Sequence, residues 1–165
     1  MLSGNRLLRL PASIGRLKLQ ALKLEDNQLT DLPDGIAGLD TLTVLDLSNN
    51  PIRMLPDCVA RLPRLERLYL AGMPGLDLAD ACRKLASVET LRLLSLCWCG
   101  FASLPDEIGL LSQLETLALF GNPLAALPGS LAKLTHLRTI TTSGGAPLEA
   151  RLRELLPHLT PRSPS

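Results

Sequence analysis

The chain has 165 residues, with 17 basic and 16 acidic side chains interspersed for a net charge of +1. That balance sets up no long-range field to gather phosphates or an anionic membrane. The few aromatics do not alternate with Lys and Arg as a base-stacking groove requires, which argues against nucleic acid. No window holds the roughly 18 apolar residues that a bilayer span needs, and MLSGNRLLRL is not a basic region leading into an apolar run.

Leucine makes up about a quarter of the residues and falls on a ruler of 23 positions, L-x-x-L-x-L-x-x-N-x-L-x-x-L-P. A fixed period of this length predicts stacked units, none of which buries its apolar face alone. The chain opens with a partial unit, 1–18, in which Leu2, Asn5, Leu7, Leu10, Pro11, Ile14 and Leu17 match the second half of the pattern. Its leading edge is expected to be bare, as in a truncated chain, one that has lost an upstream segment, or one whose edge a partner covers, a second copy included.

Units at 19–41 and 42–64 follow in register. The unit at 65–90 is irregular: it is about three residues longer, lacks the Leu-Pro pair, and carries Leu78, Cys82, Leu85 and Val88 at helical spacing. Regular units return at 91–113 and 114–136. Residues 137–159 hold a degenerate unit, then PLEARLRELLPHL with Leu148, Leu152, Leu155, Leu156 and Leu159 on one helical face, which predicts a C-terminal cap. The tail, 160–165, is expected to be disordered.

One column runs Asn5, Asn27, Asn50, Met73, Cys99, Asn122 and Gly145. An amide there can satisfy backbone groups of its own turn and the next. A thiol at Cys99 can donate weakly, Met73 cannot, and the ladder is expected to be weakest around the irregular unit.

The pattern resembles the leucine-rich repeat family, in its 23-residue Ras-group and bacterial type with L-P-x-x-I. The resemblance spans nearly the whole chain and implies an α/β, right-handed solenoid: a parallel sheet on the concave side, irregular or short-helical returns on the convex side, and a helical cap. Similar repeats occur in intracellular scaffolds, and also fused to protein kinases, GTPase-containing proteins and ubiquitin ligases of bacterial effectors. Cys58, Cys82, Cys97 and Cys99 lack the terminal clusters of the extracellular members, which favours a reducing, cytoplasmic compartment. Delivery into a host cell by a specialised system, which leaves no leader of the usual kind, is the alternative. The Ala-, Arg- and Leu-rich composition suits a bacterial gene.

Period-two alternation sends the repeat leucines inward and the residues between them onto the concave face. The outward columns hold Ala21, Val44, Arg67, Leu93, Thr116 and Thr139, then Lys23, Asp46, Tyr69, Ser95, Ala118 and Thr141. Beyond the strands come Cys97 and Phe120 in one column and Trp98 in the next. Three of the four aromatics lie in these columns; Phe101 replaces a core leucine. Arg67, Tyr69, Arg92, Leu93, Trp98 and Phe120 therefore form the expected contact patch, since exposed aromatics flanked by Arg and aliphatic side chains are the usual anchors of protein interfaces.

Chemistry of other kinds has no motif. His136 and His158 stand apart from any cysteine or carboxylate at metal-ligand spacing, no phosphate-cradling glycine loop is present, and Asp106 and Glu107 are chain neighbours rather than an opposed pair. No catalytic residue, metal or cofactor is expected. The reading is a non-catalytic module that recognises a protein or peptide on its concave face, with a targeting domain of a larger enzyme as the alternative.

Overall fold

The computed structural model describes residues 2–159; Met1 and the tail expected to be disordered, 160–165, lie outside them. Six strands of three residues each, β1 (Ala21–Lys23), β2 (Val44–Asp46), β3 (Arg67–Tyr69), β4 (Leu93–Ser95), β5 (Thr116–Ala118) and β6 (Thr139–Thr141), form one parallel sheet in chain order. Its register is the column alignment read from the sequence: Leu22, Leu45, Leu68, Leu94, Leu117 and Ile140 are mutual partners and all are buried. Apolar side chains on both sides of each coil turn meet in one continuous core, the arrangement by which a solenoid compensates for coils too small to fold alone.

The returns are tighter than a general irregular segment. Four are 3-10 helices, at Ala12–Arg16, Asp34–Gly38, Asp106–Leu110 and Gly129–Lys133, and one is a single α-turn, α1 (Asp57–Ala60). Each starts directly after the Pro of the Leu-Pro pair, whose fixed φ leads the chain out of the loop. Successive returns pack backbone to backbone: a Cβ on Gly35 would stand 2.1 Å from the Ala12 carbonyl oxygen, so this position admits only glycine.

The longer unit at 65–90 forms α2 (Leu78–Leu85), burying Leu78, Ala81, Cys82 and Leu85, as its spacing predicts. Asp77 caps it by accepting from the Asp80 amide at 2.9 Å. Its outer end is tied down by Lys84, which pairs with Asp57 at 2.8 Å and Asp80 at 3.0 Å and donates to the Leu55 carbonyl. The last coil is closed by α3 (Ala146–Leu155), with Pro147 in its first turn; Leu148, Leu152, Leu156 and Leu159 are buried and Leu155 half-buried.

The asparagine ladder satisfies the buried turns. Asn50 donates to the carbonyls of Leu24 and Leu47 at 2.9 Å and accepts from the Leu29 amide at 3.0 Å; Asn27 and Asn122 repeat the arrangement. Cys99 takes the same role through its thiol, which donates to the Leu70 carbonyl at 3.2 Å. Met73 is packed in the core instead, with no oxygen to offer the ladder.

Candidate protein-binding surface

Beyond the strands a second ladder continues across the coils, and its backbone is left-handed. Gly4, Asp26, Asn49, Gly72, Trp98 and Gly121 occupy it with φ of 66, 58, 55, 65, 58 and 77°. The amides of Asp26, Asn49, Gly72 and Trp98 donate to carbonyls one coil on, at 2.8 to 3.1 Å. Five of the six are residue types that tolerate this conformation, and Trp98 is not. The column places Trp98 outward; its strained backbone is what the sequence reading missed. Gly, Asp and Asn at equivalent positions were the available signal.

The indole of Trp98 is 63% exposed. Its ring meets Phe120 edge to face, with centroids 5.3 Å apart and planes at 81°, a favoured aromatic geometry. Below it lies Gly121, where an added Cβ would come within 2.3 Å of the indole. Trp98 and Phe120 thus stand together at the exits of β4 and β5, with Phe120 half-buried. Tyr69 is half-buried on β3, opposite Ser95 of β4.

The remaining patch residues lie at the strand entries. Arg67 and half-buried Leu93 are register partners on β3 and β4. Arg67 is exposed, and no carboxylate pairs with it among the described residues. Arg92 is held in place: it donates to the Glu89 carbonyl at 2.7 Å and shares Glu115 with Arg138, at 3.7 and 3.8 Å. Ser95, expected outward, is buried at 7% exposure between its register partners Tyr69 and Ala118, and its hydroxyl donates to the Cys97 sulfur at 3.7 Å. Phe101 is partly buried against the core.

Chemistry elsewhere is subdued. Burial pushes the Cys58 thiol up to about 11 and the Cys82 thiol to about 12, and it raises Cys99 as well, so all three stay protonated. The histidines meet backbone carbonyls, His136 at Ser112 and His158 at Leu137, each at 3.0 Å. Among the described residues no cluster of three or more His, Cys, Asp or Glu could hold a metal, and no helix is long and apolar enough to cross a membrane. A depression of about 740 Å³ lies away from the aromatic patch, between the loops at 30–34 and 51–58. Of the charged residues that line it, Lys84 pairs with Asp57 and Asp34 with neighbouring Arg61, and Asp31 and Arg53 line it as well.

The family model described as "Leucine rich repeat" matches residues 1–52 and 17–72. No curated protein matches the chain in sequence. Among solved structures, a leucine-rich-repeat protein of Leptospira interrogans is 27% identical with a TM-score of 0.60, over 96% of this chain and 53% of its own. The leucine-rich repeat domain of the type III effector XopL is 29% identical with a TM-score of 0.68, over 86% and 50%. The Drosophila Toll–Spätzle complex, at 19% identity and a TM-score of 0.64 over 83% and 19%, shares the fold alone. The chain thus spans about half the length of the first two. Bacterial proteins among these neighbours suggest a bacterial origin. By fold the chain is an α/β leucine-rich-repeat solenoid, and the matches in sequence and structure support the leucine-rich repeat family and, with it, a protein–protein interaction module.

Proposed function

We propose that the chain is a non-catalytic recognition module that holds a protein or peptide on its concave face, with Arg67, Tyr69, Arg92, Leu93, Trp98 and Phe120 as the contact set. The observation that carries this reading is the Trp98–Phe120 ring pair, its exposed indole mounted on a left-handed backbone that glycine would adopt at less cost. Arg67 adds a guanidinium that no carboxylate pairs with among the described residues, beside Leu93, so the surface offers both an apolar anchor and a charge. A sheet this regular needs little ordering on binding, and affinity then rests on a few anchors. The test is capture with the wild-type chain beside a Tyr69→Ala/Trp98→Ala/Phe120→Ala variant of unchanged circular dichroism. The captured protein is then purified and titrated against both. Equal affinity overturns the contact set.

A second reading is favoured by the match to one domain of a longer effector: the same surface as the targeting part of a larger polypeptide, an enzyme included. The complete reading frame tests it. A catalytic segment beside these repeats supports it, and an open reading frame confined to them overturns it.

A further inference from the structure

The threonine hydroxyls of the coils are not all used alike. Those of Thr41, Thr43 and Thr90 donate one coil back, to the carbonyls of Leu19, Gln20 and Leu65 at 2.9, 3.1 and 2.7 Å. Thr116, Thr139 and Thr141 are half-buried on β5 and β6, and their hydroxyls have no partner among the described residues. Two of them fall in one row across the sheet. Arg67, Leu93, Thr116 and Thr139 are successive register partners on β3 to β6. At the spacing of parallel strands the row spans about 14 Å. Arg67 is the sole charged residue in these strands. Just before them, Arg92 and Arg138 both engage Glu115, and Glu66 forms no ion pair among the described residues. Arg67, Arg92 and Arg138 thus outnumber Glu66 and Glu115 along this edge, with Asp46 one strand over, beside Tyr69.

We infer that this row reads an extended acidic segment of a partner protein laid across β3 to β6. An Asp or Glu side chain of the segment pairs with Arg67, a large apolar side chain rests on Leu93, and backbone groups bond the hydroxyls of Thr116 and Thr139. The inference rests on the concave recognition proposed above, to which it adds the chemistry of the partner and two contact residues, Thr116 and Thr139. The row is the length of about four extended residues. A hydroxyl both donates and accepts, so it serves the N–H or the C=O of any backbone, whereas a guanidinium takes a carboxylate through two parallel N–H groups. A basic segment would set a cation against Arg67 on strands that hold no carboxylate, a like-charge contact that disfavours it. One guanidinium is too little charge to hold a phosphate backbone.

The probe is a phage-displayed library of random dodecapeptides selected on the immobilised full chain. Selected sequences are then made as C-terminal amides, which leaves only side-chain carboxylates, and titrated by fluorescence anisotropy. They should share an Asp or Glu within about four residues of a large apolar side chain. Arg67→Glu should weaken them at least about tenfold and, used as the bait, should select Lys or Arg in place of the acid. Thr116→Val/Thr139→Val should weaken them about tenfold, whereas Thr116→Ser/Thr139→Ser, which keeps both hydroxyls, should bind as wild type does. None of the substituted side chains is buried, and matched urea midpoints confirm that the variants fold. No selected peptide, no shared acid, the same sequences selected by Arg67→Glu, or full affinity in the valine variant would each overturn the inference. Concave recognition itself stands in the last three cases if Tyr69→Ala/Trp98→Ala/Phe120→Ala abolishes binding; peptides that this variant binds at full affinity overturn both.

Discussion

Trp98 sits where Gly72 and Gly121 sit in the flanking coils, at a φ of 58° that costs a side-chain-bearing residue roughly 1–2 kcal/mol. Two substitutions separate backbone from ring. Trp98→Ala and Trp98→Gly both lose the contact with Phe120, but only glycine relieves the backbone, so the glycine variant should be the more stable by about 1 kcal/mol in urea unfolding. The reverse order would contradict a left-handed position 98. Gly121→Ala forces both a strained φ and a Cβ against the indole, and should cost about 2 kcal/mol or more while shifting the Trp98 emission. The thiols make a second check: Cys58, Cys82 and Cys99 are buried and held protonated, and Cys97 is half-buried. At pH 8 a thiol reagent should titrate one fast group, absent in Cys97→Ser, and the other three only after unfolding. Which residues point inward was legible because a period of 23 with internal alternation leaves one consistent register. The handedness of position 98 was legible only from the Gly, Asp and Asn in its column, because alternation carries no information on the turn that follows the strand.

Among the elements, α2 replaces the Leu-Pro return of its neighbours, and its helical spacing was legible because Leu78, Cys82 and Leu85 keep one face on the core. Its cap was not, since Asp77 is one of several acidic residues nearby and only coordinates show it accepting from Asp80. Asp77→Ala should cost about 1 kcal/mol, read as a lower urea midpoint at unchanged slope. The Lys84 contact gives a pH signature of definite sign. Hydrogen bonding to Lys84 lowers the Asp57 carboxyl below its ordinary 3.8, so its contribution is present above that value and lost as acid protonates it. The same contact, with Asp80, raises Lys84 above 10.5, so its contribution is full below that value and lost in stronger base. Lys84→Met should therefore flatten the fall in melting temperature at both extremes relative to wild type. The 3-10 form of the other returns lay beyond the sequence because it follows from the close stacking of successive coils at positions such as Gly35.

For the molecule as a whole, stability and recognition occupy different columns of the same repeat. Leu45 and Leu117 are fully buried between neighbouring coils, and alanine at either should cost about 2 to 5 kcal/mol through lost contacts and a residual cavity. Patch residues such as Arg67 and Trp98 bury little and should be far cheaper to remove. The even charge balance of the full sequence conceals that residues 1–24 hold five basic and no acidic side chains, because a net charge says nothing about where along a stack the charges fall. The concave anchors were legible as a set of columns, and the contact between two of them needed the coil geometry that brings β4 and β5 side by side. The most direct measurement is the dissociation constant of the captured and purified partner for the wild-type chain and for Tyr69→Ala/Trp98→Ala/Phe120→Ala, at matched urea midpoints. Concave recognition predicts a loss of about a hundredfold or more, from removing aromatic anchors each worth about 1 kcal/mol or above. An unchanged constant in a folded variant would contradict it.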